Sequence, residues 1–155
     1  MKMLVPLDGS EFAEEVLGPA SELAKLSQAE VILVEVVRRA VARDAAAPAA
    51  PIQPALGYGL WGGDVPEDRE DYLKEVAVRY FPAGARWRVL LGEDPAQEIL
   101  ACAREEQVDL IALATHGRSG LARMVLGSVA DKLVKSGVVN QFLLVRPRKL
   151  GYTDR

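Results

Sequence analysis

Residues 109–114 read Asp-Leu-Ile-Ala-Leu-Ala, and residues 115–120 directly after them read Thr-His-Gly-Arg-Ser-Gly. The short apolar run predicts a buried strand, so the glycine-containing loop begins where this strand ends. Nine residues separate Gly117 from Gly127, which is followed by Ser128 and a segment with helical spacing. Glycines at a strand exit and a helix entrance expose backbone N–H groups, so this stretch predicts an anion-binding loop suited to phosphate.

The rest of the chain alternates short apolar runs with amphipathic segments, which is typical of an α/β fold. The predicted strands are 3–7, 30–37, 87–91, 110–114 and 142–145, and the predicted later helices are 67–81, 95–106 and 129–136. Ser10 is expected to cap a first helix that carries Leu26 on or near its apolar face and is kinked or interrupted at Pro19. Asp94 with Gln97, and Ser128 with Asp131, stand three residues apart in each case and resemble capping boxes. Strands separated by helices pair in parallel.

Length and composition favour one domain with a full core. The chain has 155 residues, of which 50% are hydrophobic. We assign residues 1–147 to this domain and 148–155 to a C-terminal tail. Residues 38–65 are rich in Ala, Pro and Gly and predict a long loop inside the domain, with a lid or dimer contact as the alternative to a merely mobile segment.

Charge and residue counts exclude several classes of function. The net charge of -3 provides no basic surface for nucleic acid. Cys102 is the single cysteine and His116 the single histidine, so the sequence offers neither a disulfide framework nor a zinc site. Any Mg²⁺ is expected to arrive with bound phosphates. No apolar run approaches the roughly 20 residues of a membrane helix, and no signal peptide is evident, so we expect a cytoplasmic protein.

One glycine-rich motif in the sequence does not indicate a binding site. Residues 57–62 read Gly-Tyr-Gly-Leu-Trp-Gly, which matches the dinucleotide-binding pattern letter by letter. That pattern has meaning only between a strand and a helix, whereas prolines precede this copy and Gly-Asp-Val-Pro follows it. We therefore exclude a dinucleotide site there.

The exits of the first and fourth strands hold the candidate ligand groups. In an open parallel sheet, ligands bind beyond the carboxyl ends of strands where the winding reverses. The first exit carries Asp8, which could accept hydrogen bonds from sugar hydroxyls or a base. The fourth carries Gly117, which lets the backbone approach phosphate, and Ser128 would meet that phosphate at the helix start. The alternative remains that Asp8 ends a strand, Ser128 caps a helix and Gly117 turns the chain.

Two motifs together resemble the universal stress protein family. They are Val-Pro-Leu-Asp-Gly-Ser at 5–10, and Ala-Thr-His-Gly-Arg at 114–118 leading to Gly-Ser-Val-Ala at 127–130. The likeness spans nearly the whole chain. It implies a single-domain, three-layer α/β fold with a five-stranded parallel open sheet and helices on both faces. It also implies a homodimer formed through the last strand, 142–145, and a role in stress response.

The resemblance further implies a site for ATP, AMP or ADP with Mg²⁺. In that family the nucleotide signature is G-x₂-G-x₉-G-[S/T], whose later positions here are Gly117, Gly127 and Ser128. By the same likeness Pro6, Leu7 and Asp8 would contact the adenosine and Val36 the adenine. His116, Arg118 and Val129 would lie beside the phosphates. The full set of candidate nucleotide-binding residues is Pro6, Leu7, Asp8, Val36, Ala114, His116, Gly117, Arg118, Gly127, Ser128 and Val129.

Ala114 replaces the first glycine of that signature. If the position requires left-handed backbone dihedrals, alanine weakens binding by roughly 1–2 kcal/mol. If it ends the fourth strand in the β region, the methyl group has little effect unless it collides with the ligand. We expect the second case, because residues 110–113 run directly into Ala114.

Three function classes follow. The first is a dimeric regulatory protein that binds ATP or AMP with slow or no hydrolysis. The second is a dimeric scaffold of the same fold that binds no nucleotide, against which the retained Gly117, Gly127 and Ser128 argue. The third, an efficient hydrolase or transferase, has little support: the phosphate-loop pattern with its lysine is absent, and no third residue is evident to orient His116 with Ser119.

Overall fold

A computed structural model of the chain describes residues 1–38, 67–115 and 126–146. The predicted loop beyond Arg38 and the tail 148–155 lie outside these ranges. The elements in chain order are β1 (Lys2–Leu7), α1 (Glu11–Glu14), α2 (Leu17–Ser27), β2 (Glu30–Val37), α3 (Glu67–Tyr80), β3 (Arg86–Leu91), α4 (Pro95–Glu105), β4 (Leu110–Ala114), α5 (Ser128–Lys135) and β5 (Gln141–Val145). No helix within the described ranges is both long and apolar enough to cross a membrane.

The five strands form one parallel sheet in the order β3-β2-β1-β4-β5. The chain first winds outward from β1 through β2 to β3, and it then returns to the other side of β1 with β4 and β5. The winding therefore reverses between β1 and β4, where Leu4 stands opposite Ile111. This confirms the predicted α/β fold, and it places the switch point at the two strand exits singled out in the sequence.

Two cores cover the two faces of the sheet. On one face, buried residues of α2 and α3 such as Leu17 and Leu73 pack against Val5 and Leu33. On the other, residues of α4 and α5 such as Ile99 and Leu133 pack on alternate strand positions. Because strands covered on both faces bury successive residues, β1, β2 and β4 read in the sequence as nearly continuous apolar runs. The architecture is the expected three layers.

The first helical segment differs from its prediction. The interruption falls at Glu15 and Val16, between α1 and α2, and Pro19 lies in the first turn of α2. A proline is tolerated there because the first N–H groups of a helix have no intrahelical acceptor. The placement of Leu26 on an apolar face is wrong, since 86% of this residue is exposed. Ser10 does cap α1, accepting a hydrogen bond from the Ala13 N–H at 3.1 Å.

Candidate functional site

A cavity of about 240 Å³ opens at the carboxyl ends of β1 and β4. This is close to the lower end of the roughly 300–1,000 Å³ that small-molecule sites occupy. Eight of the sequence-predicted residues are described, and all eight line this cavity. They are Pro6, Leu7, Asp8, Val36, Ala114, Gly127, Ser128 and Val129. The other three, His116, Gly117 and Arg118, lie outside the described residues.

The wall formed by β1 ends in a tight turn built around Asp8. Its Oδ1 accepts hydrogen bonds from the backbone N–H of Ser10 at 3.0 Å and from the Ser10 hydroxyl. Gly9 between them has φ +76°, a conformation that L side chains rarely adopt. The turn therefore fixes an exposed carboxylate beside the cavity, and it uses one of the two carboxylate oxygens to do so.

The opposite wall is the end of β4. Ala114 is the last residue of this strand and stands opposite Val145 of β5, while the next N–H, that of Thr115, donates to the Val145 carbonyl at 2.9 Å. Among described non-glycine residues, only Gln28 and Gln107 have positive φ. Ala114 is therefore ordinary extended strand. The expectation that alanine ends the strand without strain is confirmed.

Helix α5 brings its first turn to the cavity. Its N-cap is Gly127, which has no side chain to accept a hydrogen bond, and Ser128 is the first helical residue. The predicted cap by Ser128 is therefore wrong. Asp131 instead pairs with Lys135 at 2.8 Å. Backbone N–H groups of the first turn lack intrahelical acceptors and carry the positive end of the helix dipole, so the turn suits an anion.

Helix α4 supplies residues that the sequence analysis missed. Pro95 and Ile99, one turn apart, line the cavity from its first half. Asp94 caps this helix, which confirms the predicted cap, and it also accepts a hydrogen bond from Lys132 of α5 at 2.8 Å. That hydrogen bond lowers the pKa of Asp94 and joins the starts of the two helices at the surface. Nothing local in the sequence indicates that Pro95 and Ile99 line the cavity, because their position depends on where the chain returns after β3.

Several other residues that line the cavity were not predicted, although they lie next to residues that were. Val34 shares a face of β2 with Val36, so a period of two could have found it. Phe12 and Ala13 follow the Asp8 turn, and Leu113 and Ala130 adjoin predicted residues. The inner lining is mostly apolar, with Asp8 and the α5 start at the edge. Such a lining suits a flat apolar group carrying polar groups at one end.

The single cysteine takes no part in this cavity. Cys102 of α4 is buried within the core on the α4 and α5 face of the sheet, where burial raises the pKa of its thiol to about 11. Within the described ranges, no cluster of three or more His, Cys, Asp or Glu side chains could hold a metal ion.

Comparison with known proteins shows which family the chain resembles over most of its length. The model of the universal stress protein family matches residues 1–140. Universal stress protein YxiE of Bacillus subtilis is 32% identical over 133 residues, covering 85% of this chain and 90% of the relative.

Two solved structures share the fold. A universal stress protein in complex with cAMP has a TM-score of 0.65 at 20% identity, covering 96% of this chain and 98% of its own. The universal stress protein of Archaeoglobus fulgidus in complex with dAMP has a TM-score of 0.55 at 21% identity, with the same coverage of both chains. With the sheet order, the cavity and the family match in agreement, the chain belongs to the universal stress protein family.

Proposed function

We propose that this chain binds an adenine nucleotide, ATP, ADP or AMP, in the cavity between β1, β4 and α5. The observation that carries the proposal is the convergence of all eight described candidate residues on one cavity at the switch point. Two family members of known structure hold cAMP and dAMP, which are both adenine nucleotides. We infer that His116, Gly117 and Arg118 complete the phosphate end, and that Mg²⁺ enters with the phosphates.

The lining favours adenine over guanine. Most of the side chains that line the cavity are apolar, among them Val34, Val36, Ile99 and Leu113. Guanine carries one exocyclic polar group more than adenine, and each polar group left without a partner in an apolar lining destabilises a complex by about 1–3 kcal/mol. The ribose is expected beside Asp8, and the phosphates at the uncapped start of α5.

The biological role that we propose is regulatory. Nucleotide binding would bias the surface presented to protein partners during a stress response in the cytoplasm, with slow or no hydrolysis. We also propose that the chain forms a homodimer through β5, because β5 is an edge strand of the sheet and its residues Phe142 to Val145 are only partly buried despite being apolar. An apolar edge strand is a ready template for pairing with a second copy.

Calorimetric titration of nucleotide-stripped protein tests the proposal. ATP with Mg²⁺ and AMP are expected to bind with micromolar dissociation constants, and GTP at least about tenfold more weakly, since 1.4 kcal/mol is a factor of ten. The same preparation should sediment as a dimer. Absence of binding by every nucleotide would overturn the proposal in favour of a nucleotide-independent scaffold of the same fold.

Asp8 permits a paired test of the ribose contact. Asp8→Asn keeps an oxygen that can accept from Ser10, so the turn should persist while the charge is lost. We expect AMP affinity to fall by about 1–3 kcal/mol, the scale of a charge-assisted hydrogen bond, with the thermal midpoint nearly unchanged. Asp8→Ala should lose the same affinity and also lower the midpoint. Wild-type affinity in both variants would remove Asp8 from the site.

A further inference from the structure

Behind the Asp8 turn, on the face of the sheet covered by α3, lies a buried carboxylate that the proposed binding site does not use. Glu35 of β2 stands opposite Leu7 in the sheet, and its side chain is 5% exposed. Its Oε1 accepts a hydrogen bond from Nη1 of Arg69, in the first turn of α3, at 3.0 Å. Its Oε2 is buried and has no hydrogen-bond partner among the residues that the structure describes. A half-satisfied buried carboxylate is costly, so Glu35 depends strongly on Arg69.

Arg69 also contacts the turn itself. A Cβ built on Gly9 would lie 3.1 Å from Arg69 Nη1 and 4.0 Å from Glu35 Oε1. The guanidinium therefore packs directly beneath the turn whose carboxylate, Asp8, faces the cavity. One turn further along α3, the Tyr72 hydroxyl donates to Glu14 of α1 at 2.9 Å. Helix α3 thus contacts both the turn and the helix that follows it.

The charges around Glu35 come from α3 and from the Asp8 turn. Burial is the largest influence and raises its pKa above the ordinary value of 4.5, Arg69 lowers it, and the negative charges of Asp8 and Asp68 raise it again. Tyr72 faces the same group, and burial together with Glu14, Glu35 and Asp8 raises the pKa of its hydroxyl. Asp8 and Glu35 therefore carry like charges that influence each other, and the Arg69 guanidinium lies close to both Gly9 and Glu35.

We propose that Arg69 is a positioning residue for the nucleotide site, which holds the Asp8 turn in its binding geometry by neutralising Glu35 and supporting Gly9 from behind. The inference rests on the proposed function for its ligand. Without the guanidinium, ionised Glu35 repels Asp8 and the support beneath Gly9 is lost. Protonation of Glu35 removes the repulsion, so the defect is greatest at high pH and smallest at low pH.

The contribution of Glu35 to the stability of the fold also depends on pH, and it too is most favourable at low pH. Because the pKa of folded Glu35 is raised, its stabilising contribution is complete below pH 4.5 and is lost as the pH rises through the raised value. Loss of Arg69 removes the influence that lowers this pKa. The window in which Glu35 titrates therefore moves further up in Arg69→Met.

The test compares AMP affinity across pH 5.5 to 8 in Arg69→Met, Arg69→Lys, Glu35→Gln and the double variant Arg69→Met with Glu35→Gln. Arg79→Met is the matched control, since Arg79 lies at the other end of α3 over the Tyr80 ring. Each variant's AMP affinity is divided by the wild-type affinity at the same pH, which removes the effect of protonation of AMP itself. At pH 8 we expect about tenfold weaker binding in Arg69→Met, the scale of coupling between contacting residues. The ratio should approach one at low pH, and Arg69→Lys and the double variant should largely restore binding.

Hydrogen exchange on the ligand-free protein separates this inference from the proposed function. Arg69→Met should accelerate exchange of the amides of residues 9–16 at pH 8, whereas Arg79→Met should not. If wild type binds no nucleotide, accelerated exchange still supports the positioning role while the proposed function fails. Unchanged exchange overturns the positioning role. A loss of affinity that is equal at every pH and is not relieved by Glu35→Gln also overturns it, since Arg69 would then act only in folding.

Discussion

Val36→Trp is expected to weaken AMP binding close to a hundredfold while leaving the fold intact. Val36 lies near the end of β2, where its half-buried side chain lines the cavity. An indole there would fill space that the base needs. If it excludes about 100 Å² of apolar ligand surface, about 25 cal/mol per Å² gives about 2.5 kcal/mol, close to a hundredfold loss of affinity.

The neighbouring residue provides the matched control. Val37 is also half-buried, but it packs against the core on the other face of the sheet, because successive side chains of a strand point to opposite faces. Val37→Trp adds the same bulk to the same strand and should leave AMP affinity within about threefold of wild type. Calorimetry measures both variants, with circular dichroism as the folding control. Equal affinities in the two variants would show that the base lies elsewhere.

The largest expected effect on stability is that of Leu133→Ala. Leu133 is fully buried in α5 and anchors this helix, whose first turn lines the cavity, to the second core. Replacing a fully buried leucine with alanine removes apolar contacts and leaves a cavity, which lowers the free energy of unfolding by about 2–5 kcal/mol. For a chain of this size that corresponds to a fall in thermal midpoint of roughly 2–4 °C for each kcal/mol.

Val134→Ala is the control, because the next residue of α5 is 36% exposed. It should lower the free energy of unfolding by less than about 1 kcal/mol. Urea unfolding measures both variants, and the slope with denaturant should stay constant if only native stability changes. A loss in Leu133→Ala no larger than that in Val134→Ala would mean that α5 is not fixed by this contact.

Strand positions could be predicted from sequence because burial on both faces leaves a direct signal. The run Glu30–Val37 was predicted with its bounds as the structure has them, since it is apolar almost throughout and ends at polar residues. Helix boundaries were less well determined. The break between α1 and α2 falls at Glu15 and Val16, neither of which is a helix breaker. Pro19 interrupts a helix only when it lies in the helix interior, whereas here it lies in the first turn of α2.

The cavity that forms the candidate site could be located from the sequence where strand exits line it. Asp8 and Ala114 each follow an apolar run, so the topology alone brings them together. Ile99 and Pro95 could not be predicted, because their position depends on how α4 packs across the sheet. The pairing of Glu35 with Arg69 spans 34 residues and likewise has no local signature. Sequence periodicity thus locates the residues at strand ends more readily than the helix residues that line the same cavity or the long-range ion pairs that hold its loops.

Methyl-resolved NMR of the protein titrated with AMP tests the central claim most directly. If the nucleotide binds at the switch point, the methyl signals of Val34, Val36, Ile99 and Leu113 should shift together in a saturable way. Those of the exposed Leu26 and Val78, on α2 and α3, should remain fixed. Saturable binding that leaves the four cavity methyls unmoved would contradict the account, because the ligand would then occupy a different surface of the molecule.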